Sequence, residues 1–266
     1  MKIHFNINRF GKLLSKELRE RTPFIVKMVG IMSLILVGIW LTSMFFVRGS
    51  AVPMEARTTY LYIAVLITAL SAPFSMYKNY NHPKKGIDYV TLPASIEEKF
   101  LSMLLISTVI LPAIAFISIA FTDTFISIIS PSMFSGLMIT EPDFYTKMNG
   151  SVSDLIIIPL LCLLGNLLFR GNKIVKTVLS IIATYIIFIM IIAFIFLYVY
   201  KDQIETLQNF ELQIRVDNLY DLFRSEYFAP YPGLKISVGI LALLYNFGFP
   251  IGALTAAYYR MKKLQY

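Results

Sequence analysis

The chain has 266 residues, of which 57% are hydrophobic, 14% aromatic and only 15% charged, with a mean hydropathy of +0.68. A soluble domain carries about 25% charged residues, so 24 basic and 16 acidic side chains cannot cover a globule this rich in Ile, Leu and Phe. These figures exclude an ordinary cytosolic enzyme, a disordered chain and a disulfide-stapled secreted domain, the last also because Cys162 is the single cysteine. The net charge of +8 would point to nucleic acid in a soluble protein. In a membrane protein it reports Lys and Arg held on the cytoplasmic side, and no nucleic-acid partner is expected.

The first element is a stripe. Phe10, Leu13, Leu14 and Leu18 fall on one side of a 3.6-period helix within NRFGKLLSKELRER, with Lys12, Lys16 and Arg19 off it. A basic amphipathic helix of this kind, in a cytoplasmic segment spanning 1–27, is expected to lie among anionic headgroups.

Membrane spans follow. A helix needs about 20 apolar residues to cross roughly 30 Å of hydrocarbon. Charge-free runs meet that length at Met28 to Val47, Thr58 to Tyr77, Phe100 to Thr122, Thr177 to Tyr200 and Ile236 to Tyr259. The first exceeds a signal-peptide core and is expected to remain as an anchor. A sixth run, Leu155 to Phe169, has 15 residues and is extended to a span over 152–170 if Asp154 and Arg170 sit at the two interfaces. Thr124 to Thr140 is also free of charge, but Pro131, Gly136 and six Ser or Thr suit a re-entrant or interfacial segment better than a seventh span.

The expected fold is therefore all-α: a single polytopic membrane domain of six transmembrane helices with an N-terminal interfacial helix. Lys and Arg number 17 in segments 1–27, 78–99, 170–176 and 260–266, against seven in 48–57, 123–154 and 201–235. The positive-inside rule then places both termini in the cytoplasm, with 123–151 and 201–235 outside.

The cytoplasmic loop KNYNHPKKGIDYVTLPASIEEK, residues 78–99, holds the most local information. Ser95 and Glu98 form a capping box that starts a helix near Ile96, and Pro93 disfavours a helical Leu92 just before it. The resulting elbow either presents Tyr89, Val90 and Leu92 to a cytosolic partner or folds back on its own helices.

Chemical motifs are sparse. Both histidines, His4 and His82, lie in cytoplasmic segments, and GNLLFRG at Gly165 to Gly171 lacks the ending of a phosphate loop. No enzymatic activity, metal or cofactor on this chain is expected. Within the spans, Pro73, Pro112, Pro159 and Pro250 free backbone carbonyls, and Asn166 and Asn246 can bond between helices. They are candidates for a pathway or hinge, and equally for plain packing.

YVTLPASIEEKFLS, Tyr89 to Ser102, and FRGNKIVKT, Phe169 to Thr177, together with the span pattern, resemble the permease subunits of bacterial ABC exporters of type two. The resemblance implies a bacterial inner-membrane protein that works as a homodimer or with a similar permease, surrounded by membrane lipid. It also implies a coupling loop through Tyr89, Val90, Leu92, Pro93, Ser95, Glu98 and Lys99 that docks on a separate cytosolic ATPase, which would bind the ATP. The charged segment 201–235 departs from the small hydrophobic re-entrant helices usual after span five in that family. The alternative is an integral membrane scaffold or regulatory subunit that transports nothing.

Overall fold

The computed structural model describes residues 4–46, 51–82, 86, 89, 91–140, 157–202 and 230–264. Its regular elements among these residues are helices: α1 Ile7–Phe46, α2 Met54–Met76, α3 Ile96–Ile129, α4 Ile157–Leu168, α5 Lys173–Val199 and α6 Pro232–Leu264. Five of them, all but α4, are long and apolar enough to cross a membrane. Segment 203–229, the greater part of the expected external cap, lies outside the described residues, as does Val90.

The expected interfacial helix is not a separate element. It is the first half of α1, a single helix of 40 residues. Pro23 removes the donor for the Arg19 carbonyl, yet the helix continues through it. At 1.5 Å per residue α1 measures about 60 Å, twice the hydrocarbon thickness, so its charged half must project beyond the bilayer that its apolar half can span. Phe10 and Leu13 are buried against protein, and Leu14 and Leu18 pack on the core.

The core lies between α1, α2 and α3. On α2 the buried positions are Arg57, Leu61, Ala64, Val65, Thr68, Ala69, Ala72, Pro73 and Met76, a helical stripe with small residues at its middle. In an all-apolar helix small side chains mark the packed face, because they let backbones approach. The facing residues of α3 include Met103, Ile106, Leu111, Ala115 and Ile119, all essentially inaccessible.

Two helices carry the same local device. A widened π turn spans Ile106–Ile110 in α3 and Leu244–Gly248 in α6, and a proline follows two residues later, Pro112 and Pro250. Proline cannot donate to the carbonyl four residues back and its ring crowds that oxygen; a wider turn relieves the clash without a break. These two prolines are thus absorbed into continuous helices. Pro73 lies near the end of α2, and Pro159 is buried near the start of α4.

α3 does not stop at Thr122 but continues to Ile129, and the chain then folds back through residues 130–140, ending in the short 3-10 turn Met138–Thr140. The Thr124 to Thr140 run is therefore not a separate α-helix: its first six residues belong to α3 and the rest forms the fold-back.

α4 and α5 form a hairpin through Phe169–Asn172, with Asn172 at φ 48°, a left-handed conformation that Asn tolerates. The helices meet at Gly165, where an added Cβ would lie 2.1 Å from Thr177 Oγ1 and 2.7 Å from Thr177 Cβ. Gly165→Ala is expected to cost about 1–3 kcal/mol by overpacking, and Thr177→Ala in the same chain should recover part of it. Unfolding in mixed detergent micelles provides the measurement.

Candidate functional site

Hydrogen bonds between distant helix ends define one face of the molecule. Asn81, in the turn that follows α2, donates to the Leu167 carbonyl of α4 at 2.7 Å. Asn166 of α4 donates to the Tyr77 carbonyl at 3.1 Å and accepts from Lys173 of α5 at 3.0 Å. Tyr258 of α6 donates to Glu97 of α3 at 3.0 Å, and Arg9 of α1 grips Glu98. The first turns of α1, α3 and α5 thus share a face with the last turns of α2, α4 and α6. This face carries the dense basic segments of the sequence.

Glu98 is the most heavily used side chain there. It closes the capping box, with Ser95 N–H donating to Oε2 at 2.9 Å and Ser95 Oγ accepting from Glu98 N–H at 3.2 Å. The same carboxylate accepts from Asn6 N–H at 2.7 Å and from Arg9 Nε at 2.7 Å and Nη2 at 2.6 Å. One side chain therefore caps α3 and ties it to the start of α1. Lys99 beside it is buried.

A second carboxylate sits about three turns further along α1. Glu17 is buried and accepts from Tyr89 Oη at 2.6 Å and Tyr77 Oη at 2.9 Å. Tyr89 also meets the Tyr80 and Tyr77 rings edge-on, at 4.8 and 6.4 Å. Arg21 lies 5.3 Å above the Tyr77 ring and supplies the nearby positive charge. Burial pushes the Glu17 carboxyl above the usual carboxylate range, against the hydrogen bonds from Tyr89 and Tyr77 that favour its charge. The Tyr89 phenol is pushed well up, first by burial and then by the charge of Glu17.

The elbow consequently has an inside and an outside. Tyr89 is half-buried, with its hydroxyl turned inward to Glu17, and so anchors the loop to α1. Leu92 is half-buried, while Thr91 and Pro93 are exposed at the apex. Beside it a hollow of about 270 Å³ opens between α1 and the loop, lined by Lys16, Glu20, Arg21, Tyr80 and Leu92. Of the expected coupling residues, Ser95, Glu98 and Lys99 form the buried base, Tyr89 the internal anchor, and Leu92 and Pro93 the accessible rim.

At the opposite end lies a pair that sequence reading did not join. Arg57, in the first turns of α2, meets Asp123 of α3 through two parallel bonds of 2.8 and 2.5 Å, both side chains almost inaccessible. Arg57 also donates to Ser127 Oγ at 2.8 Å and to the carbonyls of Ser135 and Gly136, with the Phe134 ring 4.8 Å from its Cζ. The signal was present: opposite charges flank the same end of two consecutive spans. Asn166 bonds between helices as expected, whereas Asn246 donates to Ala242 of its own helix at 3.0 Å.

Among the described residues no cluster of His, Cys, Asp and Glu could hold a metal. No family model, curated protein or solved structure matches the chain.

Proposed function

We propose that the chain is the membrane-spanning subunit of an ABC exporter of type two. In this reading it crosses the bacterial inner membrane six times with both termini in the cytoplasm. It pairs with a second such subunit, and a separate cytosolic ATPase drives it. The sixth crossing uses α4, whose 12 residues cover about 18 Å and need the preceding segment to complete the passage. Support for an even count comes from the start of α1 and the last turns of α6 sharing one face. The basic residues on that face favour the cytoplasm.

The observation that carries the reading is the braced elbow. An exposed apex at Thr91 and Pro93 stands on a base tied to α1 twice, through Tyr89–Glu17 and through Glu98–Arg9. A push at the apex is therefore delivered to α1 and α3 together, which is what coupling to a cytosolic motor requires. The adjoining hollow offers Lys16, Glu20 and Arg21 to a partner's side chain. ATP stays on the partner, and this chain acts as a pathway subunit without catalysis of its own.

A photocrosslinking amino acid at Pro93 in native membranes is expected to capture an ATPase. Capture of other proteins only would overturn the reading. A non-transporting scaffold is the second reading, favoured by the apolar lining of the larger cleft between α4, α5 and α6 and by the Arg57–Asp123 pair that fastens α2 to α3 at the far end.

A further inference from the structure

α5 is joined to the bundle at three levels with gaps between. Near its start Thr177 packs on Gly165, midway Phe188 and Tyr185 meet Tyr245 and Phe249 of α6, and at its end Tyr200 Oη bonds the Gly233 carbonyl and Ser237. Between these levels two clefts, of about 120 and 450 Å³, share the walls Leu161, Leu164, Phe188 and Phe249. Together they run along α5 from Thr177 to Ile191, about 21 Å at 1.5 Å per residue. One leaflet of hydrocarbon is about 15 Å deep, so the crevice is long enough for an acyl chain.

The wall selects hydrocarbon. Thr177, Ser180 and Thr184 each donate their hydroxyl proton to a carbonyl of their own helix, at 2.7 to 2.8 Å, and the Tyr185 and Tyr245 hydroxyls meet each other at 3.2 Å. Most of the hydroxyl protons are thus spent inside the protein, and few donors are left for a polar ligand. The mouth selects charge. Arg170 and Lys176 are exposed within one turn of the lining residues Phe169 and Thr177, and Arg260 bonds the Leu167 carbonyl beside them. Among the described residues neither Arg170 nor Lys176 forms an ion pair with a carboxylate.

From this pairing of a basic mouth with an apolar cleft we infer that the α4–α5–α6 crevice is a binding site for an anionic phospholipid. One acyl chain lies against Leu164 and Phe188, and the phosphate sits at Arg170, Lys176 and Arg260. Basic pockets between membrane helices bind such headgroups by charge, while the buried chain adds apolar contact. The site does not depend on the ATPase reading, because only the membrane setting enters the argument.

Trp40 is the sole tryptophan, so the full chain with Trp40→Phe and Phe188→Trp reports on the crevice alone. The probe is a vesicle of dioleoyl phosphatidylcholine holding a few mole per cent of lipid brominated on its acyl chains, either phosphatidylglycerol or phosphatidylcholine. Brominated phosphatidylglycerol is expected to reach half-quenching at about five-fold lower mole fraction than brominated phosphatidylcholine. Ile187→Trp, on the exposed side of α5, should be quenched equally by both. Arg170→Gln with Lys176→Gln should bring the crevice ratio to one. Gly252→Leu should do the same by filling the larger cleft, since an added Cβ there meets nothing. Leu161→Trp is the second reporter if Phe188→Trp does not elute as a folded species. Equal quenching by the two lipids at the crevice reporter overturns the inference, as does crosslinking that places a second copy of the chain against Leu161 and Phe188.

Discussion

Arg57→Leu is expected to destabilise the helical bundle by about 3–5 kcal/mol, because it leaves the Asp123 carboxylate buried without its partner. The replaced guanidinium also held the Ser135 and Gly136 carbonyls and lay under the Phe134 ring. The fold-back over residues 130–140 should therefore lose protection from hydrogen exchange before the helices do. It keeps the Val52 N–H to Met133 carbonyl bond at 2.8 Å and the apolar packing of Phe134 and Met138, neither of which replaces the guanidinium's bonds to the Ser135 and Gly136 carbonyls. The double variant Arg57→Leu with Asp123→Leu removes the orphaned charge and should recover most of the bundle stability, while the fold-back stays exposed to exchange. Arg57→Lys keeps the charge but not the paired bonds, and should fall between. Unfolding in mixed micelles and exchange followed by mass spectrometry separate the two effects. If Arg57→Leu unfolded like the native chain, the pair would have no part in holding α2 to α3.

Glu17→Ala is expected to cost on the order of 3 kcal/mol, because the Tyr77 and Tyr89 hydroxyls both lose their acceptor in a buried site. The pH dependence tests the same cluster differently. Burial raises the Glu17 pKa in the folded state, so between its ordinary value near 4.5 and the raised value the folded chain holds more protons than the unfolded one. Stability at Glu17 is then greatest below pH 4.5 and falls as pH rises through that window. Glu17→Gln keeps an acceptor for the phenols and cannot ionise; its unfolding profile should lack this fall, the other carboxylates being common to both chains. A profile unchanged by Glu17→Gln would place Glu17 in contact with solvent, and a native profile that rose at this site would show the tyrosine bonds and Arg21 outweighing burial.

What could be read in advance followed from local chemistry. The Ser95–Glu98 box starts α3 at Ile96, as its spacing dictates, since both partners lie within one turn. The apolar runs became the long helices because length and charge alone set them. Contacts between segments far apart in sequence were not legible, apart from the hint that Arg57 and Asp123 flank the same end of two consecutive spans. Glu98 bonding Asn6 and Arg9, Tyr89 turning inward to Glu17, and Arg57 finding Asp123 each join residues more than 60 positions apart. A π turn precedes both Pro112 and Pro250, a feature that no local pattern announces, and each helix runs on through its proline. Gly165 gave no signal, since a glycine needed for close helix approach looks in sequence like any other.

The cytosolic ATPase is the partner on which the proposed function rests, and co-purification from gently solubilised native membranes tests for it most directly. Mass spectrometry of the complex is predicted to find this chain with an ATPase that carries its own phosphate loop. Replacing Pro93 at the elbow apex with aspartate should weaken their association while leaving the bundle folded. A chain recovered repeatedly without any nucleotide-binding protein, and indifferent to the charge placed at Pro93, would contradict the proposal.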